Sequence, residues 1–492
     1  MSEVRVRFAP SPTGYVHIGG LRTALYNYLF ARHEKGKFIL RIEDTDRTRY
    51  VEGALENLIE VLQWAGLDYD EGVFLDENRN IYEKGQYGPY IQSDRVKEGI
   101  YDKHIKKLID EDKAYYCFCT ADRLNNLREQ QKADGKMPKY DGLCRGISKE
   151  EAQKRVDAGE PHVVRLKLPA NKDIQFNDAI KGHLSINTND MDDQVLIKTD
   201  GFPTYHFAVV IDDHDMKITH VVRGDEWVSS TPKHVYLYEA LGWEAPTYVH
   251  LPTVLGKDKK KLSKRNADVS VEDFKQKGYL RDALINYIAL VGWSPETNQE
   301  ILSHDELVKQ FSFERVSRSG GVFDEDKLDW VNSHYIKELS DSELAAELKP
   351  YLVECGYISE DKSIEELEEI AATFKTSLNK FSEIVSQTDF IFADYQNGVF
   401  YDEVKENINS EDAKKVLTTL KVIVENEGMN EELAKSVMKR IQKETGIKGK
   451  SLFFPVRSAL SGSEHGPEMV HIFMILGKEG ILNRLNYVLE NY

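Results

Sequence analysis

Cysteine is scarce: four residues in a chain of 492. That is too few for a disulfide scaffold and fits a reducing compartment. No apolar run is long enough to cross a bilayer, so a membrane partner is excluded at this level. The opening MSEVRVRFAPSP has neither the apolar core of a signal peptide nor the character of a transit peptide, and the cytoplasm is the expected location. Basic residues are also in deficit, 65 Lys and Arg against 83 Asp and Glu, for a net charge of −18. A wholly basic nucleic-acid coat is therefore excluded, while a local basic track on an otherwise acidic surface is not. Internal repeats and low-complexity stretches are absent. The remainder, 41% apolar and 30% charged, is a globular composition. The length is too great for one core and predicts roughly two to four domains.

The phosphate-loop patterns GxGxxG and GxxxxGK[ST] are missing at the place where a phosphate site would otherwise be sought. That place is Val4 to Arg32. Val4, Val6 and Phe8 alternate with Arg5 and Arg7 as in a strand. Pro10, Pro12 and Gly14 then force a turn. Leu21, Ala24, Leu25, Tyr28 and Leu29 make one apolar helix face, and Gly36 is placed to end that helix. A strand, a small-residue loop (His17-Ile18-Gly19-Gly20) and a helix N-terminus together suit a phosphate, because unpaired N–H groups and the positive end of the helix dipole meet there. Many α/β folds carry such a turn for packing alone. His17 adds a donor that packing does not require.

Three further stretches end in polar groups. FILRI (38–42) reads as a strand running into Glu43-Asp44-Thr45-Asp46, where acids could hold an amino group or ribose at the carboxyl edge of a sheet. The blander use is a cap by Thr45 or Asp46 on a following helix with the apolar face Val51, Ala54, Leu55, Leu58, Ile59 and Leu62, and the two are compatible, with Glu43 facing the crevice. FAVVI (207–211) reads as a buried central strand ending in Asp212, Asp213 and His214. VVRGDEW reads as a strand ending at Arg223, whose planar fork suits a carboxylate. GKDKKKLSKR (256–265) carries six cations against one acid and is, at its blandest, a solvated basic loop.

Cys117, Cys119 and Cys144 suggest a structural zinc site, but a closed site takes four ligands and only three are in this pattern. Cys355 reads as packing. One long helix is predicted from about residue 96 to 112, a polar, strand-rich segment over roughly 102–205, and helices from 341 onward. The tail at 445–468 departs from that pattern. It mixes Lys448, Lys450 and Arg457 with Phe453, Phe454 and Gly turns, a combination suited to unstacked RNA bases.

RFAPSPTGYVHIGG resembles the first signature of class I aminoacyl-tRNA synthetases in the form typical of bacterial-type glutamyl-tRNA synthetases, with Gly20 where the family's final His stands. KLSKR resembles the second, the KMSKS loop, with Leu262 for Met and Arg265 for Ser. The two occur in the family's order with an insertion between them. The resemblance implies a multidomain α/β plus all-α chain. Its parts are a Rossmann-like catalytic domain (1–101 and 206–250), an α+β acceptor-end-binding insertion (102–205), a lysine-loop and stem-contact region (251–340) and an all-helical anticodon-binding domain (341–492). It implies ATP with Mg2+ held by Ala9, Pro10, Gly14, His17, Gly19, Gly20, Glu226, Leu255, Lys261, Leu262 and Lys264. His17, Lys261 and Lys264 would be the catalytic groups. Glutamate would meet Arg7, Ser11, Glu43, Tyr205 and Arg223, with Arg223 on the side-chain carboxylate and Glu43 near the ammonium. For Arg7, an outward-facing strand arginine is the alternative. Some relatives complete a zinc site with a Cys-x-His whose His position is Gly146 here. The implied activity is glutamate activation by ATP, then transfer to the terminal adenosine of tRNA(Glu), with tRNA(Gln) left open as a second substrate, in a monomer. The glutaminyl relatives resemble the chain too, but they open on a PEPNG-like turn and carry a β-barrel anticodon region. A short paralogue that glutamylates queuosine lacks 341–492 altogether. A non-catalytic tRNA-binding module would have no need of His17, Lys261 and Lys264 together.

Overall fold

The structure, a computed structural model, describes residues 3–262, 270–396 and 399–492. It divides into two units, Met1–Phe274 with Leu284–Asp324, and Lys275–Ala283 with Glu325–Tyr492.

In the first unit, β1 (Arg5–Phe8) leads through the loop into α1 (Ile18–His33) and back to β2 (Lys37–Leu40), which pairs parallel with β1. The predicted apolar face of α1 is buried. The helix ends at His33. Lys35 takes the left-handed turn (φ 52°), and Gly36 serves another need: a Cβ there would lie 2.2 Å from the Val4 carbonyl oxygen. All four β1 residues are buried. The Val/Arg alternation therefore records two buried faces, one of them lined with paired arginines, and not one wet face. After α2 (Ala54–Trp64) come β3 (Glu71–Leu75), parallel to β2, and β4 (Ile81–Lys84), antiparallel to β3. Neither Thr45 nor Asp46 caps α2, which starts after Gly53. Asp46 instead binds Thr48 and Arg49, while Asp44 accepts the Ser93 N–H (2.8 Å) at the start of α3 (Gln92–Lys97). The predicted helix at 96–112 is broken: α3 stops, Gly99 turns (φ 66°), and α4 (Asp102–Asp110) begins anew.

The inserted segment builds β5 (Ala114–Cys117), the helices α5 (Ala121–Ala133) and α6 (Lys149–Asp157), then β6 (Val163–Leu166), β7 (Asp173–Asp178), β8 (Gly182–Asn187) and β9 (Val195–Ile197). β5, β6 and β9 form their own antiparallel sheet. The stretch FAVVI is not a strand. It lies inside α7 (Tyr205–Asp215), which is buried on every side from Phe207 to Asp213. A short apolar run carries no periodicity, so it fits a fully buried helix as well as a central strand. Next come β10 (His220–Gly224), α8 (Thr231–Leu241) and β11 (Thr247–Leu251), with β10 and β11 parallel and the order β10-β11-β7-β8. The Thr219 N–H donates to the Arg5 carbonyl at 2.9 Å, joining β10 to the free edge of β1. β1 thus has β2 on one side and β10 on the other. A parallel sheet whose order reverses at one strand opens a crevice at the carboxyl ends. β12 (Val254–Leu255) follows and pairs with β13 (Gly321–Val322); between them in sequence are α9 (Val271–Gln276), α10 (Arg281–Leu290) and α11 (His304–Gln310).

The second unit is helical: α12 (Glu325–Glu338), α13 (Asp341–Glu354), α14 (Glu368–Phe374), α15 (Glu383–Phe392), α16 (Lys405–Ile408), α17 (Glu411–Glu427), α18 (Glu431–Thr445), α19 (Lys450–Ser461) and α20 (Met469–Asn491). Val416, Leu420 and Val424 of α17, Val437 and Ile441 of α18, Val456 and Leu460 of α19, and Leu485 and Val488 of α20 share one core. The tail at 445–468 is therefore less irregular than its composition suggests. Leu452, Val456, Ala459 and Leu460 bury one face of α19 and leave Phe453 exposed.

Candidate active site

The crevice beside β1 is a cavity of about 1020 Å³. Arg7, Ala9, Pro10, Ser11, Gly14, His17, Gly19, Gly20, Glu43, Tyr205, Arg223, Glu226 and Lys261 all line it. Leu255 and Leu262 do not; Leu255 is in β12, and the Leu262 N–H bonds to the Val254 carbonyl (3.0 Å), so the two leucines hold the base of the lysine loop. Lys264 falls outside the described residues.

His17 is the N-cap of α1, and its Nδ1 accepts the Gly20 N–H at 3.1 Å. With Nδ1 accepting, a neutral His17 carries its proton on Nε2, so that nitrogen is the ring's donor. A side chain at Gly19 would press on the His17 ring, since its Cβ would sit 3.0 Å from it. The lysine loop is tied down at both described ends. Leu255 bridges Lys261 on one side, and on the other His17 bridges Ser270 while the Val271 N–H donates to the Val16 carbonyl (3.1 Å). Ser270 and Val271, which follow the second signature, thus meet the α1 N-terminus, and Lys261 lines the same cavity.

Arg223, at the end of β10, is buried and lies among neutral groups. Its Nε donates to His250 Nε2 (3.1 Å), Nη1 to Tyr205 Oη (3.3 Å), and Nη2 to Thr231 Oγ1 (2.8 Å) and His234 Nδ1 (3.2 Å). No carboxylate pairs with it among the described residues. Burial, with Arg223 second, holds His234 well below the ordinary imidazole value. Burial brings His206 down to about 4. Burial also lowers His250, although the Asp178 carboxylate opposes the shift from 2.6 Å. All three rings are therefore neutral at physiological pH. An uncompensated guanidinium in a crevice is a receptor for a carboxylate.

Arg7 is not outward-facing. Its Nε and Nη2 grip Asp213 (3.0 and 3.2 Å), and Nη1 reaches the Val222 carbonyl (3.3 Å). Arg41 bridges Asp213 (2.7 Å) and Glu43 (2.9 Å), and Arg95 holds Asp212 (2.7 Å) and Asp215 (2.9 Å). Asp212 and Asp213 are thus the anionic half of a buried network under the crevice floor, on a helix and not at a strand end. Burial alone would raise Asp213; Arg41 and Arg7 outweigh it and hold the group below the usual carboxylate range. For Glu43 burial wins over Arg41 and Arg7, and its value is raised. Sequence reading missed Arg41, Arg95, Asp178, His234 and His250. His250 and Asp178 had a signal, since each closes a strand at the same sheet edge as Arg223.

Cys117, Cys119 and Cys144 come together, with their Sγ atoms within 4.8 Å of one another and the Cys119–Cys144 pair 3.6 Å apart. Gly146 offers no ligand, but Tyr140 does: its hydroxyl lies 3.4 Å from Cys117 Sγ and 3.8 Å from Cys119 Sγ. Burial pushes Cys119 up to about 11. Cys355, expected to pack, is exposed. In the helical unit, Lys448 and Lys450 are exposed, and Lys450 sits 5.5 Å over the Phe454 ring, at a hollow that Glu406, Glu411 and Asp412 also line. Arg457 is turned inward onto the Pro467 carbonyl (2.7 Å).

A family model described as class I tRNA synthetases (E and Q), catalytic domain, matches residues 3–330, and an anticodon binding domain model matches 343–489. The chain is 61% identical over 491 residues to a glutamate–tRNA ligase of Finegoldia magna, covering 100% of both chains. It is 54% identical over 493 residues to one of Clostridioides difficile, covering 99% of each. Among solved structures, it resembles a glutamate tRNA ligase from Elizabethkingia meningosepticum in complex with its amino acid, with a TM-score of 0.89, 36% identity and full coverage of both chains.

Proposed function

The chain belongs to the class I tRNA synthetases of the E and Q branch, and from that premise we propose that it is a glutamate–tRNA ligase. The glutamate α-carboxylate attacks the α-phosphorus of ATP and pyrophosphate leaves; a ribose hydroxyl of the 3′-terminal adenosine of tRNA(Glu) then attacks the adenylate's acyl carbon and AMP leaves. The observation that carries this reading is Arg223, a buried guanidinium without a carboxylate partner among the described residues, in the same cavity as His17 and the α1 N-terminus. Arg223 takes the substrate's side-chain carboxylate, while Glu43 meets its ammonium beside Arg7 and Ser11. The Ala9–Gly20 loop, the His17 Nε2–H and Lys261 close on the phosphates, with Lys264 assigned to the same task. This is positioning and charge stabilisation, which in-line phosphoryl chemistry chiefly requires. Mg2+ accompanies the ATP. The helical unit, with Lys448, Lys450 and Arg457, is assigned to the anticodon end, residues 102–205 to the acceptor end, and the working form to a cytoplasmic monomer. Among the described residues no helix is long and apolar enough to cross a membrane.

The test is ATP–pyrophosphate exchange, with and without tRNA. Exchange with glutamate and not glutamine is expected, and its absence from folded protein under every condition would remove the catalytic reading. Charging assays on separated tRNA(Glu) and tRNA(Gln) then decide between one substrate and two.

Zinc belongs to the same reading. With Zn–S bonds near 2.3 Å, a tetrahedral site has edges of about 3.8 Å. The 3.6 Å between Cys119 and Cys144 is close to such an edge, and the Tyr140 hydroxyl lies 3.4 and 3.8 Å from Cys117 and Cys119, so the cluster supports a zinc site with Tyr140 as the fourth donor. Zinc there would tie the β5 end to the Tyr140–Cys144 loop and carry no step of the reaction. Metal analysis of purified protein is expected to find about one zinc per chain, lost in Cys144→Ser and weakened in Tyr140→Phe. A zinc-free, fully folded wild type would leave the cluster as three reduced thiols.

A further inference from the structure

Arginine can only donate hydrogen bonds, and that fixes which ring nitrogens of His234 and His250 carry the proton. His234 accepts from Arg223 at Nδ1, so its proton is on Nε2, which faces His206 Nδ1 at 2.9 Å. His250 accepts at Nε2, so its proton is on Nδ1, which faces Asp178 at 2.6 Å. Asp178 is itself fixed by the backbone N–H groups of Ile180 (2.9 Å) and Lys181 (2.8 Å). Thr231 accepts at Oγ1 and has the Trp227 carbonyl (2.9 Å) and His250 Nε2 (3.1 Å) as acceptors for its own proton. Four of the five guanidinium N–H bonds are thereby occupied, and the fifth, on Nη1, is left beside Tyr205. Tyr205 Oη accepts from Nη1, which leaves its own O–H to donate. The open end of the cluster therefore presents two donors and no acceptor.

We propose that His234 and His250 are positioning residues that lock Arg223 so that Nη1–H and the Tyr205 O–H form an all-donor pair, and that this pair selects a side-chain carboxylate over a carboxamide. A carboxylate accepts from both donors and neutralises the guanidinium. A carboxamide has one oxygen and one NH2, so its NH2 would face a donor and the cation would stay uncompensated. A site built to hydrogen-bond one group rejects an isostere that leaves buried partners unsatisfied. If Arg223 could turn, it could offer its N–H bonds to a lone amide oxygen. The imidazoles remove that freedom, each in the tautomer that donation from Arg223 dictates, and the Asp178 carboxylate, which can only accept from His250 Nδ1, holds His250 in that same tautomer. This inference rests on Arg223 receiving the substrate's side-chain carboxylate.

The experiment is steady-state tRNA charging with glutamate or glutamine as the varied substrate, alongside the KM for ATP. His234→Leu removes the acceptor, and His234→Asn returns one near the Nδ1 position. His234→Leu is expected to raise the glutamate KM by about tenfold or more, to narrow the glutamate-over-glutamine ratio and to leave the ATP KM unmoved. His234→Asn is expected to recover most of the loss. Asp178→Asn is expected to act in the same direction, because an amide NH2 facing Nδ1 turns the His250 proton toward Arg223. An unchanged glutamate KM and selectivity in His234→Leu would overturn the inference. So would a joint rise in glutamate and ATP KM that His234→Asn does not relieve, since that is a structural lesion. Arg223→Ala separates this inference from the reading beneath it. A glutamate KM indifferent to Arg223→Ala removes the assigned role of Arg223. A KM that responds to Arg223→Ala but not to His234→Leu removes only the positioning role.

Discussion

Glu43 and Asp213 show at single-residue scale how two carboxylates of one network take opposite electrostatic signs, Asp213 holding the fold and Glu43 being the one proposed to meet the substrate. Both carboxylates are buried and both touch Arg41. Asp213 also has Arg7, and its lowered value means that its contribution to stability is present above the ordinary carboxylate value and lost as pH falls through the lowered one. Removing it leaves two guanidiniums with less charge to pair. Asp213→Asn is expected to lose about 3–5 kcal/mol in urea unfolding. Glu43 has the opposite sign. Its raised value means that its contribution is full below the ordinary carboxylate value and is lost as pH rises through the raised one. At neutral pH Glu43 is therefore a strained charge, held in place by the rest of the network. Glu43→Gln is expected to raise the melting temperature at pH 7 while charging activity falls. The stability gain is expected to shrink as pH is lowered toward the ordinary carboxylate value. A variant that is less stable at every pH would mean that Arg41 depends on Glu43 as much as on Asp213.

At the scale of elements, what could be read from sequence was whatever depends on near neighbours. β1, its loop and α1 lie within one stretch, and the Pro and Gly turns and the apolar face of α1 all act locally. The strand ending at Arg223 was legible for the same reason. α7 was not, because its run Phe207–Ile211 is buried on all sides and leaves no period to read. Acids in a last helical turn oppose the dipole, so Asp212 and Asp213 look out of place until Arg7, Arg41 and Arg95 are found around them. Those arginines are more than a hundred positions away in the chain, and only the fold supplies the pairing. The same holds for Tyr140, which no spacing rule tied to the cysteines. Arg484 is a case from the helical unit. It is buried with carbonyls as partners, Leu460 near the end of α19 and Phe390 (2.6 Å) and Ile391 (3.2 Å) near the end of α15. One guanidinium thus closes the C-termini of two helices, where a cation is favoured by orphan carbonyls and dipole alike. Arg484→Leu keeps the bulk and strands those oxygens, and is expected to cost on the order of 3 kcal/mol. Chemical denaturation followed by circular dichroism measures it, and a loss well under 1 kcal/mol would make the contacts incidental.

At the scale of the whole molecule, a chain of net charge −18 is proposed to bind a polyanion. The global field opposes that encounter, so attraction must come from local cations that outcompete it within a Debye length. Salt therefore acts on tRNA binding in two opposed directions: screening weakens the contacts, while it also relieves the repulsion from the acidic surface. For contacts to unpaired nucleotides, each neutralised phosphate contributes about −0.7 to the slope of log affinity against log salt. Lys448 and Lys450 are exposed, while Arg457 spends an N–H on the Pro467 carbonyl. Lys450→Ala and Lys448→Ala are each expected to weaken tRNA binding and to flatten that slope by somewhat less than one, with the glutamate and ATP KM values unchanged. Arg457→Ala is expected to move the slope least, because its charge is already engaged within the fold. Filter-binding titrations across a salt series would settle the order. Slopes that do not change in either lysine variant would place both side chains off the RNA path. The basic track would then have to be sought among the other cations of the helical unit, on faces that neither composition nor helical period distinguishes from a solvated surface.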